Sequence, residues 1–303
     1  MGCACGHQHI TLAENADADE IAIEDLNKQA KTATPPLRPL LRARRDQLRA
    51  EVGAVKSLNR AISKSNEALA DAVRGALDVG MPQALLNLSP DELRAFIMVN
   101  GMGEAVDSFG GAQLEIYESI INVMQASAPD FDMSLVSPAV SAIQGRTVDA
   151  VFNQLIIPDT QRAISDSLTM MTYGDSSDLI IGALSSRLKK STGRQLTEAR
   201  TKLTSFGRVI MHDAGAAAGL DHYLYSGPID GITRAFCRAL AGKVLTDQQI
   251  SKLNNGSGLS VRSSGGGYNC RHNFSATSQG LIKAAGLPLA KSRDISKANA
   301  GAK

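Results

Sequence analysis

The chain has 303 residues, with 32 basic and 30 acidic side chains and a formal net charge of +2. That is enough chain to bury a core without disulfide staples, and too little bulk charge to draw the protein to nucleic acid or an anionic membrane. No apolar run reaches the length of a bilayer-spanning helix, and the start lacks a basic-then-apolar secretory pattern, so the expectation is a soluble chain made in a cytoplasm. With no Trp and only seven Phe and five Tyr, it offers neither a carbohydrate platform nor a base-stacking surface.

In chain order, residues 1–34 are small and acidic with little apolar periodicity, which predicts a flexible arm with a short helix near Ile21 to Gln29, ordered by a partner. Cys3, Cys5, His7 and His9 place four metal-competent side chains in that arm, at a spacing of two that differs from zinc-finger separations. Met1-Gly2-Cys3 suggests lipidation, but Gly6 stands where N-myristoylation needs Ser or Thr. Pro35, Pro36 and Pro39 punctuate the end of the arm. Leu41, Leu48, Val52, Val55, Ile62, Leu69, Val73 and Leu77 then recur at helical spacing, predicting a long helix to about Val79, closed by Gly80. Arg42, Arg45, Arg49, Lys56 and Arg60 run beside that stripe, either as a solvated basic face or as a contact for DNA or an acidic protein surface.

Ser89-Pro90-Asp91-Glu92 reads as a helix start: a capping hydroxyl, a proline where no N–H is needed, and two carboxylates at the positive end of the dipole. Gly101, Gly103, Gly110 and Gly111 are expected to break the pattern before a helix from Leu114 to Gln125. Further helices are predicted from Pro138 to Leu155, from Thr160 to Leu188 with a pause at Tyr173 to Asp175, and from Thr192 to about Ala218. The Ala214 to Gly219 run lacks the Gly-Lys-Ser/Thr of a phosphate loop and reads as close packing at a small-residue helix end.

The distinctive chemistry falls between Tyr225 and Phe274. Gly227-Pro228 and Asp230-Gly231 are turn signals ahead of a short helix carrying Cys237, Thr246 to Gln249 resembles a capping box, and Leu259 to Arg262 reads as one arm of a hairpin. Asp230 and Arg234 are placed to form a charge pair that Arg271 could join. Cys237, Cys270 and His272 could supply three zinc ligands, with His222 or His212 as the fourth; a plain thiol pair and a Cys237–Cys270 disulfide are the other readings. Cys270 and His272 are two apart on an extended segment, a spacing that seldom brings a nucleophile and its base to hydrogen-bond distance.

Asp230, Thr233-Arg234, Cys237, Gly242-Lys243 and Asn269-Cys270-Arg271-His272 together resemble the C-terminal region of phage Mu F-like minor head proteins. That family pairs a D-x-x-x-R-x-x-C segment with a later H-P-N-C-R-C segment. The similarity covers roughly residues 190 to 275. Here Gly267-Tyr268 stands in place of His-Pro, and His272 in place of the final Cys. The resemblance implies a structural protein of a tailed-phage virion, made in the host cytoplasm and present in multiple copies. Its implied partners are portal, capsid or other head-tail proteins, with contact to packaged DNA, and no residue need be catalytic.

The expected fold is mainly α: an elongated helical N-terminal region with a small α+β C-terminal module. The expected divisions are a flexible arm over 1–34, a helical domain over 35–190, the Mu F-like module over 191–290 and a disordered tail over 291–303. Two alternatives accompany the structural role: a thiol-dependent enzyme or toxin-like domain carried by a phage, and a DNA-binding module using the basic helix. No acid pair, nucleophile elbow or P-loop accompanies the enzyme alternative.

Overall fold

Two helices of 41 residues, α2 (Arg38–Asp78) and α7 (Ser177–Ala217), set the dimensions of the molecule. Each is about 60 Å long at 1.5 Å per residue. The computed structural model describes residues 12–80 and 89–302, so the Cys3, Cys5, His7 and His9 group lies outside the described residues. The architecture is mainly α with a small α+β module built on one three-stranded sheet.

The apolar stripe forms α2 as its spacing implies: Leu48, Ile62, Leu69 and Val73 are all buried, and Gly80, at φ 65°, follows the helix end. Ser89 caps α3 (Pro90–Ile97) by a reciprocal bond pair with Glu92. Of the glycines that follow, only Gly101 breaks the backbone, at φ 113° inside a wide turn over Met98–Met102. Gly103, Gly110 and Gly111 lie within α4 (Gly103–Ser127). A helix tolerates such glycines, at about 1 kcal/mol each, when a buried face holds it, and here Phe109, Ala112, Ile116 and Ile120 supply that face. Helices α5 (Ser137–Val151) and α6 (Ile157–Leu168) follow, joined by a wide turn; Pro158 occupies the start of α6, where its missing N–H is no loss.

No helix begins at Thr192, because α7 passes through it without interruption. The expected division at residue 190 therefore falls inside a continuous helix. One apolar core runs from Leu40 and Leu58 of α2 through α4 and α7 to the strands. Two glycines of α7 permit close crossings: a methyl at Gly207 would lie 2.8 Å from Ile116, and one at Gly215 would lie 2.9 Å from Ala276. The small-residue run thus serves helix–sheet packing.

Strand β1 (His222–Ser226) is the middle of the sheet, antiparallel to β2 (Val244–Thr246) on one side and β3 (Asn273–Thr277) on the other. Tyr225 pairs with Phe274 across β1 and β3. Between the strands come α8 (Ala235–Leu240), α9 (Asp247–Ile250) and α10 (Val261–Ser264). Leu259 to Arg262 thus forms no hairpin arm; Ser263 and Ser264 both donate hydroxyl hydrogen bonds to the Ser260 carbonyl, at 3.2 and 2.7 Å, closing a helical turn.

Both expected disordered ends are corrected over the described residues. The first segment forms α1 (Leu12–Thr32), and what orders it is this chain. Ala22 and Leu26 pack with Leu48 and Val52 of α2 in a small second core. Asp19 takes two 2.8 Å hydrogen bonds from Arg200 of α7. At the other end, α11 (Gln279–Ala285) and α12 (Ser292–Ala300) close the chain. Ala298 is fully buried, Lys243 meets Asp294 at 2.8 Å, and a methyl at Gly301 would lie 2.9 Å from Ala235. Small residues that look featureless in sequence are here the contact face.

Candidate metal centre

Three elements converge on one interior point. Helix α8 brings Cys237, the segment after α10 brings Cys270 and His272, and β1 brings Tyr225. Residues Gly265 and Gly267 adopt φ 57° and 98°, and Asn269 adopts φ 54°, a left-handed bend that asparagine tolerates. The Asn269 amide and side chain donate to Thr201 and Thr197 of α7, at 3.2 and 3.4 Å. That bend turns the chain so that Cys270 and His272 both point inward.

The two sulfurs lie 3.8 Å apart as free cysteines. A ring nitrogen of His272 joins them, all three ligand atoms lying within 4.8 Å of one another. His272 is 3 % exposed, and its Nε2 is buried without a hydrogen-bond partner. An unpaired buried polar atom costs about 1–3 kcal/mol, which leaves Nε2 open to a partner such as a metal ion. The close walls are glycines: a methyl on Gly266 would sit 2.5 Å from Cys237 Sγ, and one on Gly227 would sit 2.7 Å from the His272 ring.

Mutual hydrogen bonding splits the thiol pair: it holds Cys270 well below the ordinary thiol range, despite burial, and, with burial adding, drives Cys237 well above it. Cys270 Sγ also receives the Gly266 N–H at 3.1 Å. Burial, with the neighbouring thiols adding, pushes the Tyr225 hydroxyl well above its usual range.

Behind the cluster, two arginines that the sequence reading passed over hold the Cys270-Arg271-His272 backbone. Arg208 of α7 is 1 % exposed and donates to the carbonyls of Ser263, Cys270 and His272. Arg44 of α2, equally buried, donates to the Arg271 carbonyl at 3.2 and 2.9 Å and pairs with Glu51 at 3.0 Å. Three consecutive carbonyls are therefore fixed by guanidinium groups from the two longest helices.

Other expected partners are rearranged. Asp230 pairs with Arg271, at 2.7 Å from both oxygens, and not with Arg234. Arg234 instead donates to the carbonyls of Gly266 and Tyr268, at 3.1 and 2.7 Å, tying α8 to the glycine loop. Neither proposed fourth ligand joins the cluster. His222 opens β1 against Asp221, and His212 binds Asp247 and Arg262 while stacking on Tyr223. In the basic stripe, Arg45 bonds Asp46 and Asn27, Arg49 lies 3.8 Å from Asp46, and Lys56 meets Glu20 at 3.0 Å, while Arg42 and Arg60 are exposed. Much of that charge is offset by acidic groups of α1 and α2.

The buried Cys237, Cys270 and His272 group could hold a metal ion in a closed setting. Cys237, Cys270 and Tyr225 are 2 %, 5 % and 0 % exposed. A surface cavity of about 560 Å³, lined by residues such as Ile250, Leu259 and Arg262, includes none of them. Comparison with protein families, with curated proteins and with solved structures finds no match to this chain.

Proposed function

We propose that the protein is a structural component of a tailed-phage head, with its C-terminal module locked by a zinc ion on Cys237, Cys270 and His272. The observation that carries the reading is the convergence of two sulfurs and an orphaned imidazole on a sealed interior point. Soft thiolates with an imidazole suit zinc among the divalent metals, and burial suits a structural ion rather than a catalytic one, which needs an open position. The ion would supply folding energy to a module whose sheet has only three strands.

The head-protein part of the reading is supported by how the two resembling segments meet. Asp230 and Arg271 pair across them, Arg234 reaches the carbonyls of Gly266 and Tyr268, and Cys237 faces Cys270. Residues far apart in sequence that carry the Mu F-like pattern thus build one compact unit. The partners are then portal, capsid or other head-tail proteins, and the location is the virion. Quantitative mass spectrometry of purified heads and empty procapsids from a phage encoding this chain tests it. The expected result is a few to some tens of copies beside portal and capsid peptides; absence from both particles, with the protein abundant in the lysate, overturns it.

A further inference from the structure

A metal set of Cys237, Cys270 and His272 lacks a fourth donor, and neither candidate histidine reaches it. We propose that Tyr225 is that donor, its phenol oxygen completing a tetrahedral Cys-Cys-His-Tyr site; this rests on the zinc reading above and adds a ligand to it.

The geometry of the three edges carries the assignment. Two sulfurs on one tetrahedral zinc, each at about 2.3 Å, are separated by about 3.8 Å, and a sulfur and an oxygen ligand by about 3.5 Å. The sulfurs of Cys237 and Cys270 are 3.8 Å apart, and Tyr225 Oη lies 3.4 Å from the first and 3.6 Å from the second. The triangle is therefore already the face of such a tetrahedron. Among the described residues these sulfurs are the hydroxyl's only hydrogen-bond partners, and the side chain is fully buried.

The strand position explains how a tyrosine comes to be there. Tyr225 lies near the end of β1, the middle strand of the sheet, its ring packed on Phe274 with centroids 4.7 Å apart and stacked on His272 at 5.3 Å. Both contacts fix the ring, leaving its hydroxyl at the sulfurs. Charge also balances. Two thiolates, a phenolate and a divalent ion sum to −1, and Arg208 supplies a buried positive charge beside them. A methyl at Gly265 would touch Cys270 Sγ at 3.1 Å and Arg208 Nη2 at 3.2 Å, and no carboxylate among the described residues forms a salt bridge with Arg208. A buried cation is stable when so compensated.

The test titrates zinc into the full-length chain at neutral pH and follows the ultraviolet difference spectrum, with cobalt binding measured in parallel. The expected result is one tyrosinate formed per zinc bound, unchanged in Tyr223→Phe and lost in Tyr225→Phe, whose cobalt affinity is lower by at least about tenfold. Zinc binding that persists in a Cys3→Ser, Cys5→Ser chain with no tyrosinate band overturns the assignment of Tyr225 and leaves the three-residue site standing. Failure of the unaltered chain to bind zinc or cobalt overturns the site and this ligand together. Should Tyr225→Phe not fold, the titration of the unaltered and Tyr223→Phe chains decides by itself.

Discussion

Arg208 holds the carbonyl oxygen of His272 with two nitrogens, Nε at 3.2 Å and Nη2 at 2.5 Å. A residue toward the C-terminal end of α7 thereby positions a candidate ligand 64 residues later in the chain. The same guanidinium holds the Cys270 carbonyl at 2.8 Å, so the spacing of the two ligands is set from outside the loop that carries them.

Substituting Arg208 by Met keeps most of the apolar volume but strands those carbonyls in the core. The expected cost is about 3 kcal/mol, combining the lost charged hydrogen bonds with the unpaired acceptors. Denaturant unfolding measures it. A loss under about 1 kcal/mol would show that the carbonyls find other donors.

Asp19 and Arg200 fasten α1 to α7 through a buried two-point pair. Asp19→Ala leaves a buried guanidinium without its partner, at about 3 kcal/mol. Hydrogen exchange should show α1 amides losing protection while those of α4 keep theirs. Equal protection of α1 in both chains would mean that the small core of Ala22, Leu26, Leu48 and Val52 suffices.

Burial alone would raise the Asp230 carboxyl, but the hydrogen bond and charge of Arg271, with Thr233 and the Ile232 amide, outweigh it and hold the group below its ordinary value. A depressed carboxyl stabilises the fold above its unfolded value, about 3.9, and that contribution disappears as pH falls through the folded value. Asp230→Asn should therefore be less stable at neutral pH and lose less stability on acidification from about pH 5 to pH 2. Parallel stability curves for the two chains would contradict this.

At Gly266 there is no room for a side chain, since its added methyl would lie 2.5 Å from Cys237 Sγ. Gly266→Ala is expected to cost about 1–3 kcal/mol by overpacking and to abolish zinc binding. Gly280→Ala, whose methyl meets only Ser278 Oγ at 3.9 Å, should do neither; equal effects of the two substitutions would sink the argument.

How much of this was legible in the sequence follows from what each residue looks like out of context. The α2 stripe, the Ser89 cap and the Cys237, Cys270 and His272 group could be read because periodicity, capping chemistry and rare residue types are local signals. Arg44 and Arg208 could not, since an arginine in a helix normally lies on a solvated face. A usable signal existed: Arg44 is in phase with Leu41 and Leu48, and Arg208 lies four beyond Thr204 and three before Met211, all buried. The reach of α1 beyond the expected Ile21 to Gln29 helix, and α12 as a whole, escaped because alanine, which adds little to an apolar stripe, forms much of their buried faces: Ala22 and Ala30 beside Asp19 and Leu26, and Ala298 beside Ile295. The pairing of Asp230 with Arg271 over the nearer Arg234 is a tertiary choice that spacing along the chain does not encode.

The most direct test of the metal centre is the zinc content of the full-length protein, purified without added metal or chelator and measured by elemental analysis. The account predicts close to one zinc per chain, falling to background in the Cys237→Ser, Cys270→Ser double variant. Equal background zinc in both chains, with all four thiols of the unaltered protein titrating as free after unfolding, would contradict it.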